Sequence, residues 1–356
     1  MAVMIDPKDV ASRLPTWLRV GLVGLLVLIA SGAGLFAYRY FTQPTTLTVA
    51  AGSYDGEAAR VMSAIAGRLT TTGAAIRLKV VDSGTAQEAA KTFASGKVDL
   101  AIVRADAADL SAARTVVLVT HGVVMIVVPP GSTIDSMEGL RGKTVGILGG
   151  EVNDRIVEVL TREYDVARAK IQFKNLAPEE AQQALRSRQV SALLVVVPIA
   201  EKYLSMVRNF FAGNAKHKPG LIAIESAGAI ATIARAYESY DLPKGTLRGS
   251  PAIPDDDLTT LRVPFYLVAN KKIDDDVVSE LAKTIMDSRR DLLADFPLLA
   301  QISAPSTDKD AYIPVHPGAA AFFDGTQQEF FDKYSNALYY GPMLLGGLAS
   351  VLAAIW

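Results

Sequence analysis

Three short stretches of small polar residues and one arginine hold most of the chemistry open to this chain. Gly52-Ser53-Tyr54, Ser83-Gly84-Thr85 and Gly149-Gly150-Glu151 each follow a strand-like run and precede a segment with helical spacing. Such a turn leaves backbone N–H groups free at the start of a helix, where they suit a carboxylate or another anion. The Ser and Thr hydroxyls add further donors. Each turn taken singly is equally an ordinary connection with a helix cap, and Tyr54 is as much a surface tyrosine as a cover for a ligand's apolar part. Three such turns at the carboxyl ends of strands point jointly to a binding cleft. Arg104 ends a fourth strand-like run; it can fork onto a ligand carboxylate or pair with Asp106 or Asp109.

The elements that must hold these turns repeat. Phe93-Ala-Ser-Gly-Lys-Val-Asp-Leu-Ala-Ile-Val reads as a helix end, a tight turn and a buried strand, and so does Leu185-Arg-Ser-Arg-Gln-Val-Ser-Ala-Leu-Leu-Val. A Gln-, Glu- and Ala-rich helical segment precedes each. Around the first copy the order is β-α-β-α-β, with strands at Leu47–Ala51, Ile76–Val81 and Asp99–Arg104. Around the second, strands at 144–148, 171–176 and 192–197 alternate with helices. This is the pattern of parallel sheets with helical crossovers. The apolar segment Val116–Val128, broken at Thr120-His121-Gly122, reads as the crossing between two lobes, and Leu261–Ala269 as a return strand. The expected organisation is a first lobe over residues 45–120, a second over 121–220, and a return to the first with terminal helices over 221–335. A cleft between two α/β lobes suits a small molecule.

Composition narrows the function. The 36 basic and 37 acidic residues nearly cancel, and no long basic run is present, so nucleic acid is not an expected partner. The chain contains no cysteine, which excludes disulfides and thiolate metal sites. Nucleophile-elbow, zinc-protease and dinucleotide motifs are absent. Gly142-Lys-Thr lacks the upstream glycine of a phosphate loop and precedes a strand instead of following one. The aspartate triplets 255–257 and 274–276 lack calcium-loop spacing and read as caps or a solvated face. No enzyme, cofactor or metal site is expected.

Both ends of the body carry long apolar runs. Val20–Tyr38 has no charged residue, and its length fits a bilayer core. Trp17, Tyr38 and Tyr40 flank it as interfacial aromatics do, and Lys8, Arg13 and Arg19 favour a cytoplasmic amino terminus. An uncleaved anchor over residues 1–44 is the expectation, with a signal peptide cleaved near Ser31-Gly-Ala as the competitor. The second run, residues 337–356, reads as a second span or as a buried terminal helix.

The ordered set Leu47-Thr-Val-Ala-Ala-Gly-Ser, Asp82-Ser-Gly-Thr, Ala94-Ser-Gly-Lys-Val-Asp-Leu-Ala-Ile-Val, Ser136-Met-Glu-Gly-Leu-Arg-Gly-Lys-Thr-Val-Gly and Leu176-Ala-Pro-Glu-Glu-Ala resembles the TAXI family. These are the solute-binding subunits of tripartite ATP-independent periplasmic (TRAP) transporters. Ile313-Pro-Val-His-Pro-Gly-Ala-Ala, Phe330-Phe-Asp-Lys-Tyr-Ser and the final apolar run resemble a membrane-anchored subgroup. The resemblance implies an α/β, two-lobed type II periplasmic binding protein with amino- and carboxyl-terminal transmembrane helices. It also implies a location at the bacterial inner membrane with the body in the periplasm. The partners it implies are the lipid bilayer, a TRAP permease driven by an ion gradient, and a small organic anion or amino acid as ligand. Asp55 and Glu57 depart from the family's first turn, and Glu151 lies where the second lobe usually carries a Gly-Ser-Gly-Thr-like turn. Asp55 or Glu151 can recognise an ammonium group or keep simple anions out. A membrane-anchored sensor or scaffold with the same fold is the rival expectation.

Overall fold

The computed structural model describes residues 44–53, 55–210, 219–308 and 311–326 continuously, and scattered positions within 15–36 and 339–350. The chain divides into two compact units, Thr46–Asp324 and the paired terminal segments Met1–Thr45 and Gly325–Trp356. The two apolar runs lie in the terminal unit and largely outside the described residues. Their described positions are helical from Trp17 onward, with exposed side chains at Leu28 and Met343 among others. Among the described residues no helix is long and apolar enough to cross a membrane.

In the main unit, strand β1 (Thr45–Gly52) leads to helix α1 (Glu57–Thr71), β2 (Ile76–Gly84), α2 (Ala86–Ala94) and β3 (Leu100–Arg104). This is the β-α-β-α-β order expected from the sequence. Helix α1 forms because Ala59, Val61, Met62, Ile65 and Leu69 fall on one buried stripe. The long strand β4 (Ala113–Val128) follows, and then β5 (Thr144–Leu148), α3 (Asp154–Glu163), α4 (Val166–Ala169), β6 (Gln172–Leu176), α5 (Pro178–Arg186), β7 (Ala192–Val197) and α6 (Glu201–Asn209). Next come β8 (Gly220–Ile222), α7 (Ala227–Ile233), β9 (Glu238–Leu242), a small hairpin of β10 (Arg248–Gly249) and β11 (Ala252–Ile253), and β12 (Leu258–Asn270). Helix α8 (Asp275–Leu292) and the short α9 (Pro317–Phe323) complete the unit. Asp274 caps α8 by accepting the Asp276 backbone N–H at 3.0 Å, so that aspartate triplet is a cap.

The strands form one sheet in the order β2-β1-β3-β12-β4-β7-β5-β6, with β8 also on β4 and β9 also on β12. Parallel strands β1–β3 and β7–β5–β6 sit in its two halves. The antiparallel strands β4 and β12 lie between them and pair with each other from Arg262 opposite Val123 to Asn270 opposite Ala113. Each half is a lobe, and these two strands run through both. One end of β12 pairs with β3, from Phe265 to Ala269, and one end of β4 pairs with β7, from Val123 to Val127.

Alternation along the strands builds the cores. In the first lobe Leu47, Val49, Ala51, Leu100 and Ile102 pack with α1 and α8 on one face. In the second, Val123, Met125, Val127, Leu193 and Val195 pack with α5 and α6. The intervening residues Ala50, Ala101, Val103, Val124, Ile126 and Leu194 point to the opposite face, where a third cluster runs under both lobes. Strands buried on both faces read as near-continuous apolar runs, as β7 and the Val123–Val128 half of β4 do. Leu242, Leu247 and Ile253 pack with the second lobe, so the chain stays there beyond residue 221 and returns to the first lobe along β12.

Candidate functional site

A cavity of about 160 Å³ lies between the lobes. The first lobe contributes Gly52, Ser53, Asp55, Thr85 and Arg104, the second contributes Gly149, Asn153, Val195 and Tyr203, and the through-strands contribute Thr120 and Phe265. The strand ends thus converge as the sequence suggests. Gly52 is required there by space: a Cβ on it would sit 2.2 Å from the Thr85 carbonyl oxygen, so the first two turns touch through their backbones.

The turns spend their donors internally. Ser53 Oγ accepts the Ala58 N–H at 3.0 Å and donates to Asp55 Oδ1 at 3.1 Å, while Asp55 Oδ1 also accepts the Glu57 N–H at 3.2 Å. Two amides at the start of α1 are therefore taken by the turn's own side chains. Thr85 is the N-cap of α2, its Oγ1 accepting the Glu88 N–H at 3.1 Å. Of the other expected residues, Ser83, Gly84, Gly150 and Glu151 stand off the cavity wall. Gly84 donates its N–H to Asp82 Oδ1 at 2.9 Å, and the Ser83 hydroxyl is buried without a hydrogen-bond partner among the described residues. Gly150 accepts the Asn153 N–H at 3.0 Å and opens the 3-10 turn Glu151–Asn153, with Glu151 exposed. Tyr54 lies outside the described residues.

Arg104 resolves onto Asp106, not Asp109. It is 2% exposed, and its Nε donates to Asp106 Oδ1 at 2.5 Å and its Nη2 to Asp106 Oδ2 at 2.8 Å. Nη1 donates to Asn153 Oδ1 at 2.5 Å and Nη2 also to the Val152 carbonyl. Asn153 in turn donates from Nδ2 to the Leu148 carbonyl at 2.5 Å. The Tyr237 hydroxyl donates to Asp106 Oδ2 at 2.7 Å, and its phenol is held protonated by burial and by the Asp106 charge. Arg104 sits at the end of β3 and Asn153 just after β5, so this buried network joins the lobes at the base of the cavity.

A second set of contacts joins them at the rim. Lys202, in the first turn of α6, donates to Asp55 Oδ2 at 2.5 Å and to Glu57 Oε2 at 2.7 Å. The Tyr203 hydroxyl donates to Asp55 Oδ2 at 3.1 Å. Burial alone would raise the Asp55 carboxyl, but bonds from Lys202 and the Glu57 amide outweigh it and hold it below its ordinary value. Lys202 is raised: its burial works against this, and the two carboxylates win. Gln301 adds a third bridge, donating to the Ile199 carbonyl at 2.9 Å and accepting from Thr120 Oγ1 at 2.5 Å. The lobes are therefore closed on each other. The acidic residues of the first turn face an ammonium, as their charge suggested, and that ammonium belongs to the chain itself.

Asn153, Lys202 and Tyr203 were not singled out from the sequence. Lys202 and Tyr203 follow Pro198 at the end of β7, the same strand-to-helix position that marked the other turns, and that position was the available signal. Among the described residues no group of three or more His, Asp or Glu is placed to hold a metal.

Comparison with known proteins places this architecture. No curated protein matches the sequence. Among solved structures, XAC2383 from Xanthomonas citri, bound to ATP, superposes with a TM-score of 0.50 at 11% identity over 80% of this chain and 100% of that one. A periplasmic binding protein of an arginine transport system from Legionella pneumophila gives 0.40 at 15% identity, over 72% and 97% of the two chains. The ligand-binding component of an ABC-type import system from Staphylococcus aureus, with zinc bound, gives 0.40 at 14%, over 78% and 84%. The likeness to XAC2383 shows a shared two-lobed α/β fold. The profile of the NMT1-like family matches residues 49–325, well over half of the sequence, and the chain belongs to that family.

Proposed function

We propose that this protein captures a small organic solute, an organic anion or amino acid, between its lobes and presents the closed form to a membrane permease. One observation carries the reading: a cavity walled by both lobes is closed by charged contacts that reach from one lobe to the other. Two antiparallel strands connect the lobes, a linkage suited to hinge closure around a ligand. Within this proposal, the TAXI-like sequence blocks support a TRAP-type permease as partner. The terminal apolar runs support tethering to the bacterial inner membrane with the body in the periplasm.

Thermal unfolding of the full chain against amino acids, dicarboxylates and monocarboxylates tests the proposal. A true ligand at one hundred times its Kd stabilises the folded state by about 2.7 kcal/mol, which raises Tm measurably. A panel without any stabilising member removes solute capture and leaves the sensor or scaffold reading.

A further inference from the structure

We infer that the cavity is built for a solute with an apolar body and at most one small polar group, and that zwitterions and dicarboxylates of similar size are poor ligands. This rests on the reading of the cavity as a solute site and names the ligand class within it.

The walls are the first observation. Val61 and Ile102 of the first lobe face Val195, Val196 and Met206 of the second, and Phe265 on β12 completes the enclosure. At roughly 10–15 Å³ for each water, the cavity has room for about a dozen waters or a ligand of about ten non-hydrogen atoms.

The second observation is independent of the first. The polar side chains around the cavity are already partnered inside the protein. The Ser53 and Thr85 hydroxyls bind helix amides, and the Thr120 hydroxyl binds Gln301. Tyr203 binds Asp55, while Asp55 and Glu57 share Lys202. A guanidinium has five N–H donors. Arg104 commits two to Asp106, one to Asn153 and one to Val152, and its charge is neutralised by Asp106. A partnered group gains little from a ligand until its own partner is released, and releasing a buried one leaves that partner unsatisfied. A zwitterion or dicarboxylate needs at least two charged groups matched after it loses its water. The walls offer one unspent guanidinium N–H, the Thr85 O–H, the second Asn153 amide N–H and a small number of backbone groups, which suffice for a single polar end. The rest of the ligand meets valine, isoleucine, methionine and phenylalanine.

Isothermal titration of the full chain with phenylacetate and acetophenone, against glutamate and glutamine of similar size, decides the matter. Phenylacetate or acetophenone is expected to bind at least about tenfold more tightly than glutamate. Val196→Thr, which keeps the shape of the wall and adds a hydroxyl, is expected to weaken that binding several-fold. Met206→Gln provides the same test should the first variant fail to fold. Tighter binding of glutamate or glutamine overturns the inference and leaves solute capture standing. Apolar binding that both variants leave unchanged places the probe elsewhere and also overturns it. Heat from none of the four probes overturns the inference together with the function it rests on.

Discussion

The lobes are joined at the base of the cavity and at its rim, and the two junctions differ in burial. At the base, the Arg104 and Asp106 side chains are 2% and 4% exposed, and the guanidinium commits four of its five N–H donors inside the protein. At the rim, the Lys202 side chain is 50% exposed and meets two carboxylates that water also reaches. Coulomb attraction is weak in water and strong in the interior, while the cost of an abandoned charge follows the same order. Opening the base therefore takes Asn153 and the Val152 carbonyl away from a buried guanidinium that keeps only Asp106, while the rim can open by handing its charges back to solvent. A closing protein needs both: a junction that fixes the hinge geometry and one that releases.

Removing the buried counter-ion is the strongest way to break this contrast. Asp106→Ala leaves the Arg104 guanidinium and the Tyr237 hydroxyl without their acceptor, and a buried pair broken on one side costs about 3–5 kcal/mol. Chemical denaturation of the variant should show a loss of that size. A loss below about 1 kcal/mol would mean that water reaches the base and that the two junctions are alike. Asn153→Ala is the intermediate case. It strips an acceptor from Arg104 and a donor from the Leu148 carbonyl, both buried, and is expected to cost about 1–3 kcal/mol by the same measurement.

How much of this was legible beforehand follows the same division between local and distant partners. The repeated α/β unit was visible because its turns are local. In the first copy Ser95, Gly96 and Lys97 donate to Lys91, Phe93 and Thr92, and in the second Ser187, Arg188 and Gln189 donate to Gln183, Leu185 and Ala184. Gly96 has φ of 72° and Arg188 has 58°, so the same left-handed turn forms with glycine in one copy and arginine in the other. The strands and the convergence of their carboxyl ends followed from such local patterns. The partners at the site did not. Asn153 lies 49 positions from Arg104, and Lys202 lies 147 from Asp55, with nothing in the spacing to join them. The sequence shows which hydroxyls are present but not which amides they already serve, so in the sequence alone the turns read as free donors. Ser53 and Thr85 turned out to be caps, and the pairing of Arg104 fell to Asp106, two residues away, where a local alternative did exist.

The smallest effect belongs to the rim, and its signature lies in its pH dependence more than in its size. Lys202→Met removes an ion pair that is half exposed, so the stability lost should be under about 1 kcal/mol and should shrink as salt is added. The sign with pH follows from the two shifted groups. Asp55 is held below its ordinary 3.8, so its contribution is complete above that value and is lost as pH falls through the lowered one. Lys202 is held above its ordinary 10.5, so its contribution is complete below that value and is lost as pH rises through the raised one. The stability difference between the native chain and Lys202→Met should be level across neutral pH and vanish on the acid side below 3.8. A Lys202→Met difference that survives well below that pH would show that Lys202 acts by the packing of its stem and not by its charge, and the rim would then be no ionic junction between lobes. Its disappearance there would identify the Lys202 ion pair as the contact that holds the rim closed.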